Sequence, residues 1–227
     1  MTAILVPHAP GAPSPAHHAR MTQAAHLVVI DACVLMPTIL RRLVVRLAQA
    51  GVFVPVWSAY IGLEWRRNAA RLWDVPLSEL EAEWQAMNDA FPLADAGDTR
   101  AYETGLRYSD PKDWHVIAAG LAKRARGGWA LTPRVTVMTW NLKDFNRSEL
   151  KRQGMRVAGP DVLLTEWFEH DPGAVWAALA PVLDDAALVG RPADSLPHAL
   201  HRERLFRLSR LVSDYGCLPE SPPPSAG

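Results

Sequence analysis

Cysteine is nearly missing from this 227-residue chain. Cys33 and Cys217 are the only two, too few for a disulfide framework and without the paired spacing of a zinc site. Both read as free thiols in a reducing cytoplasm. Lysine is also scarce, with 4 residues against 20 arginines, and 24 basic side chains balance 24 acidic ones. Without net charge there is no global attraction for nucleic acid, so any such surface has to be a local patch. The arginine bias, alongside abundant Ala and Pro, reads as a compositional habit of the genome. No apolar stretch approaches the roughly 20 residues of a membrane helix. Ala3 to Val6 is too short for the core of a secretory leader, and no cationic segment precedes it. These absences predict a cytoplasmic protein with no membrane attachment. No internal repeat is visible.

What is present suits a globular protein. Apolar residues make up 49%, and the length allows one well-packed domain plus an accessory piece. Residues 1–25, rich in Pro, Ala and His, read as a disordered tail, with Met21 an alternative start. Residues 219–227 read as a second, Pro-rich tail.

Between the tails the pattern alternates. His26 to Ile30 suits a buried parallel strand ending at Asp31. Pro37 fits a first helical turn, and Leu40, Leu43, Val44 and Leu47 follow at helical spacing. Gly51 ends that helix and Val52 to Val56 reads as a strand. Ser58 then caps a helix that carries Glu64 and runs to about Trp73. Ser78 and Glu81 have the spacing of a capping box. Residues 93–109 show no clear pattern. Asp110-Pro111-Lys112-Asp113 opens a helix that ends at Gly127-Gly128. Val135 to Thr139 is a strand, a short helix runs to Gln153 with Gly154 as its stop, and Met155 to Ala158 is a last strand. Such alternation predicts an α/β fold with a parallel sheet and helices on both faces. Beyond Pro160 only helices are expected: one with Leu163, Leu164 and Trp167, one over Val175 to Val189, and one over about Pro197 to Tyr215. The predicted division is a domain at 26–160 and a helical extension at 161–218.

Ligands of parallel α/β sheets bind at the carboxyl ends of the strands. Asp31 and Asp144 fall at or just beyond such ends, while Glu64 and Asp113 lie in early helical turns. One crevice is therefore expected to collect all four. Clustered carboxylates raise one another's pKa unless a cation neutralises them, and hard oxygen donors favour Mg²⁺ or Mn²⁺. Metal-activated water is suited to hydrolysing a phosphodiester.

Three segments are more specific: VVIDACVLMPTILRRLVVRLAQAGVFVPVWS, SDPKDWHVIAAGLA and VMTWNLKDF. In order and spacing they resemble the PIN-domain family, and among its members bacterial toxins of the VapC type. The similarity spans about residues 26–160, and the helical tail resembles an extension found in a subset of these proteins. It implies a three-layer α/β/α fold and an Mg²⁺- or Mn²⁺-dependent endoribonuclease. It also implies the toxin of a toxin–antitoxin pair, held inactive by a small DNA-binding antitoxin, and a possible homodimer. The metal ligands implied are Asp31, Glu64, Asp113 and Asp144, with Asn141 as a polar neighbour and Thr139 positioning its loop. Two positions depart from the family pattern. Cys33 replaces a frequent Asn or Ser, weakening the expected support of the first acid. Trp114 replaces a frequent basic residue and removes a phosphate contact.

Other residues carry two readings each. Asp110 is a fifth ligand or, preferably, a helix cap ahead of Pro111. Asp113 at a helix start also complements the dipole. His115 reaches the site or is structural, the latter being the default. Trp114 and Trp140 stack unpaired bases or simply pack. Arg202, Arg204, Arg207 and Arg210 dock RNA or form a solvated face. Arg66, Arg67 and Arg71 follow Glu64 and, if exposed, suit a phosphate near the metal, while Asn68 shares the face of Glu64 and is expected to orient it. The rival functions are a structure-specific DNA nuclease using the same acids and a catalytically silent RNA-binding PIN module.

Overall fold

The computed structural model describes residues 24–216. Cys217, Met21 and nearly all of both expected tails lie outside the described residues. Backbone contacts divide the chain into two compact units, one ending at Gly159 and one beginning at Pro160.

The first unit is an α/β structure built on a four-stranded parallel sheet. Its strands are β1 (His26–Ile30), β2 (Val54–Val56), β3 (Arg134–Met138) and β4 (Met155–Ala158), in spatial order β2-β1-β3-β4. In β1, Leu27 through Ile30 are all buried, as a central parallel strand requires. Leu27 pairs with Val54 on one side and Val135 on the other, and Ile30 aligns with Met138. β2 is shorter than the expected Val52 to Val56 run. The Val52 amide is used elsewhere, donating to the Leu47 carbonyl to close the preceding helix.

Helix α1 (Ala32–Leu35) follows β1 at once, a turn that the sequence pattern did not announce, and α2 (Thr38–Gln49) starts directly after Pro37. Gly51 adopts φ +71°, where a side chain would be strained. Helix α3 (Ala59–Trp73) is capped by the Ser58 hydroxyl, which accepts from the Ile61 amide. Helix α4 (Leu77–Ala90) starts one residue ahead of Ser78. No side chain caps it, so the expected box of Ser78 and Glu81 does not form; Glu81 instead pairs with Arg66 at 2.9 Å. The loop that resisted reading holds a parallel bridge between Trp57 and Asp95 and a short 3₁₀ turn, Arg100–Glu103.

Asp110 accepts from the Lys112 amide at 3.0 Å and caps a single 3₁₀ turn, Pro111–Asp113. Helix α5 (Trp114–Arg126) follows. It lies very close to the sheet. A Cβ on Gly120 would stand 2.7 Å from Met155 Cε and 2.9 Å from methyls of Val135 and Val29. Glycine thus lets this helix seat across β1, β3 and β4, which fixes where its first turn emerges. A 3₁₀ turn (Leu142–Asp144) and α6 (Arg147–Arg152) link β3 to β4, with Gly154 at φ +66° turning into the last strand.

The second unit is helical: α7 (Pro160–His170), α8 (Pro172–Leu179), α9 (Val182–Leu188), α10 (Leu196–Arg202) and α11 (Phe206–Gly216). Two expected helices are broken. The Val175 to Val189 run divides at Ala180-Pro181, where proline supplies no amide to continue the ladder. The Pro197 to Tyr215 run divides at Arg204, whose φ of +63° reverses the chain and buries Leu205. The Asp161 carboxylate accepts from the amides of Arg207 and Leu208, capping α11 from a distance in sequence. No helix among the described residues is long and apolar enough to cross a membrane.

Candidate functional site

Asp31 leaves β1 as the residue before α1, with its backbone amide still bonded to Met138 of β3 at 3.1 Å. Its side chain is buried. Oδ2 accepts from the Thr139 hydroxyl at 2.6 Å and from the Cys33 thiol at 3.1 Å. The Thr139 oxygen also accepts from the Asn141 amide at 2.9 Å, and Cys33 Sγ accepts from the Trp140 amide at 3.3 Å. Thr139 therefore ties the end of β1 to the loop that leads to Asp144. Cys33 belongs to the same network, so a thiol supports Asp31 where the family pattern has Asn or Ser. Burial first, then the charge of Asp31, pushes its thiol up to about 12, and it remains a neutral donor at physiological pH.

Burial raises the pKa of Asp31. The bonds from Thr139 and Cys33 oppose the rise and the charge of Glu64 adds to it. Asp113, the residue entering α5, is raised to about 6, first by burial and then by the charges of Asp31 and Asp144. These couplings gather Asp31, Glu64, Asp113 and Asp144 into one electrostatic neighbourhood. The gathering is loose: among the described residues, no group of three or more His, Cys, Asp or Glu side chains stands ready to hold a metal ion.

His115 is buried beside this group. Its Nε2 lies 3.3 Å from Glu64 Oε2 without the alignment of a hydrogen bond, and the Tyr60 ring meets the imidazole edge-on at 4.5 Å between centroids. Its proximity lowers the pKa of both Asp31 and Asp113. Trp114 donates to the Ser109 carbonyl at 2.9 Å, which spends its polar edge on holding the preceding loop. Trp140 is half-buried. Asn68 is half-buried and makes no hydrogen bond to Glu64. Arg67 and Arg71 are exposed on α3, whereas Arg66 is occupied by Glu81 and lies over the Trp84 ring at 5.5 Å. In the helical unit Arg202 donates to the carbonyls of Arg191 and Pro192, while Arg204, Arg207 and Arg210 are exposed.

One organising residue escaped the sequence reading. Glu149 of α6 is buried and accepts four bonds: from the amides of Arg107, Tyr108 and Ser109 at 2.6, 3.1 and 2.8 Å, and from the Ser109 hydroxyl at 2.7 Å. Burial opposes its ionisation, but these bonds outweigh it and hold the carboxyl below its usual range. Asn146 donates its amide to Ser109 Oγ, and the Asp110 amide donates to the Asp144 carbonyl at 2.8 Å. The segment carrying Asp110 and Asp113 is thereby latched to the segment carrying Asp144. The only sequence signal was a Glu three residues after Asn146, the helix cap whose Oδ1 accepts from the Glu149 amide.

Compared with known proteins, the chain matches no family model, no curated protein and no solved structure.

Proposed function

We propose that the first unit is a PIN-like, three-layer metal-dependent endoribonuclease. Asp31, Glu64, Asp113 and Asp144 would hold Mg²⁺ or Mn²⁺ at the carboxyl edge of the parallel sheet. The observation that carries this reading is the convergence of the acid-bearing segments: Thr139, which leads to Asp144, bonds Asp31, and the Asp110 amide bonds the Asp144 carbonyl, while burial and the charges of Asp31 and Asp144 lift the pKa of Asp113 to about 6. Carboxylates that oppose one another's ionisation at a strand edge are poised for a cation.

The donor chemistry fits a hard cation, because the four acids offer oxygen only. The absence of a preformed cage is compatible with Mg²⁺, which keeps several waters and commonly takes one or two protein carboxylates directly. When bound, such an ion supplies Lewis acidity for water and for the developing charge on phosphate. The chain's own residues provide the positioning. Thr139 and Cys33 both engage Oδ2 of Asp31 and fix the orientation of the carboxylate. Glu149 and the Asp110–Asp144 backbone bond hold the other two acid-bearing segments together. By its resemblance to VapC-type toxins the chain would pair with a small DNA-binding antitoxin, and the test is growth arrest relieved by a short neighbouring reading frame.

The loose spacing of the acids favours a second reading, a catalytically silent PIN module that binds RNA. One assay separates the two. Purified protein is incubated with single-stranded RNA and DNA in Mg²⁺, Mn²⁺ or EDTA, beside Asp31→Asn. Metal-dependent RNA cleavage lost in the variant supports the nuclease. Unchanged cleavage in the variant, or none by the wild type with either metal, overturns it.

A further inference from the structure

The latch formed by Glu149 has an outer face. Directly on it sits Tyr108, 66% exposed although its backbone is bonded to a buried carboxylate. The Arg152 guanidinium lies 5.2 Å from the centre of the Tyr108 ring. An exposed aromatic ring on a backbone this well fixed loses little freedom when something stacks on it. Around it the latched segments carry Arg107, Lys112, Lys143 and Arg147, all exposed. None of these four side chains makes a hydrogen bond or ion pair among the described residues. Several other cations in this unit are committed, Arg41 to Glu83, Arg66 to Glu81, and Arg126 to the carbonyls of Ala96 and Asp98, whereas Arg67 and Arg71 are exposed on α3, away from an exposed ring held as Tyr108 is. In a chain of zero net charge, uncommitted cations beside an exposed ring form the local patch that nucleic-acid binding requires. Lys112 and Lys143 are the immediate neighbours of Asp113 and Asp144, so a strand held here passes the acids.

We propose that Tyr108, backed by Arg152, is a stacking platform for an unpaired base of single-stranded RNA, with Arg107, Lys112, Lys143 and Arg147 holding the phosphates of the same strand. The proposal rests on the RNA reading above but not on cleavage. Every base has a π-face, so the platform tolerates sequence, and a duplex with its bases stacked internally has none to offer.

The test is fluorescence anisotropy with labelled oligouridylate and oligoadenylate, in EDTA, using full-length Asp31→Asn protein so that nothing is cut. Adding Tyr108→Ala weakens binding between about fivefold and about a hundredfold, while Tyr108→Phe retains it. Lys143→Gln lowers the salt dependence of log K by about one unit, and Tyr108→Ala leaves that slope unchanged. Thermal melts confirm that the variants fold, which the exposure of both side chains favours. Binding lost with Tyr108→Ala, where the wild type in Mg²⁺ or Mn²⁺ does not cleave RNA, supports the platform while overturning the nuclease. Metal-dependent cleavage by the wild type, with affinity unchanged by Tyr108→Ala, overturns the platform alone. Duplex RNA bound more tightly than the single strand, or no RNA bound at all, also overturns it.

Discussion

The Thr139 hydroxyl reaches Oδ2 of Asp31 at 2.6 Å, joining residues 108 positions apart. It ties the first acid-bearing segment to the one that leads to the last. Thr139→Val keeps the shape but removes the donor, and the Asn141 amide loses its acceptor too. Urea denaturation is expected to show a loss of about 1.5–3 kcal/mol, the range for buried hydrogen bonds to charged groups. RNA cleavage falls with it, and Thr139→Ser restores both. Equal stability of the valine and serine variants would remove this bond from the account of the site.

Asp113 makes the fold pH-dependent when no metal is bound. Its folded pKa, about 6, stands above the unfolded value of 3.8, so the folded chain holds an extra proton between them. Stability from this group is full below about pH 4 and is lost as pH rises through 6. Asp113→Asn has no such dependence. In EDTA the variant should therefore gain on wild type from pH 4 to pH 7, by no more than about 2 kcal/mol once solvent screening is allowed for. Added Mg²⁺ should raise the melting temperature of wild type and leave the variant nearly unmoved. A difference that stays constant across this range would exclude the coupling.

Glu149 has the opposite sign. Its folded pKa is depressed, so its contribution is present above about pH 4.5 and lost as pH falls below it. Glu149→Gln presents an NH₂ group where two acceptor oxygens met three amides and a hydroxyl. A loss of about 2–4 kcal/mol is expected at pH 7, because amides of a buried latch are left unpaired. Hydrogen exchange at Arg107, Tyr108 and Ser109 should accelerate more than at β1. Protection that survives at these three amides would show that the latch does not depend on the carboxylate.

Cys33 should be chemically quiet. A thiol pushed up to about 12 has little thiolate at pH 8. In a Cys217→Ser background, alkylation of Cys33 is expected to be slow in the folded protein and rapid in urea, followed by mass spectrometry. Cys33→Ser should leave stability and cleavage close to wild type, since a hydroxyl can make the same two bonds. Rapid labelling of the native chain would contradict its place in the Asp31 network.

Strands and helix ends of the first unit were readable where one local signal settled the matter. β1 is a β-branched run, α3 begins at the bond made by Ser58, and Gly51 and Gly154 both take positive φ. The signals that failed were those decided by distant partners. Glu81 was claimed by Arg66 rather than by a capping box. Arg204 entered a left-handed conformation that no residue preference announces. Glu149 stands in the polar stretch Arg147–Arg152, which reads as surface, and is buried because three amides about 40 residues away need an acceptor. The acids of the site could be picked out as residue types near strand ends. Their looseness could not, because it depends on how deeply Asp31 sinks and how α5 seats over Gly120.

The strand order β2-β1-β3-β4 also imposes a timetable. A chain growing from its N-terminus has made β1, β2 and three of the four acids before β3 exists to lie beside β1. Asp31 then lacks both its hydroxyl partner and the strand that buries it. Pairing across more than a hundred residues carries a loop-closure cost that local helices do not, and it comes late in folding. A chain that stops short of Arg134 is thus left with acids and no edge on which to arrange them, so synthesis itself withholds the site until the domain is nearly complete.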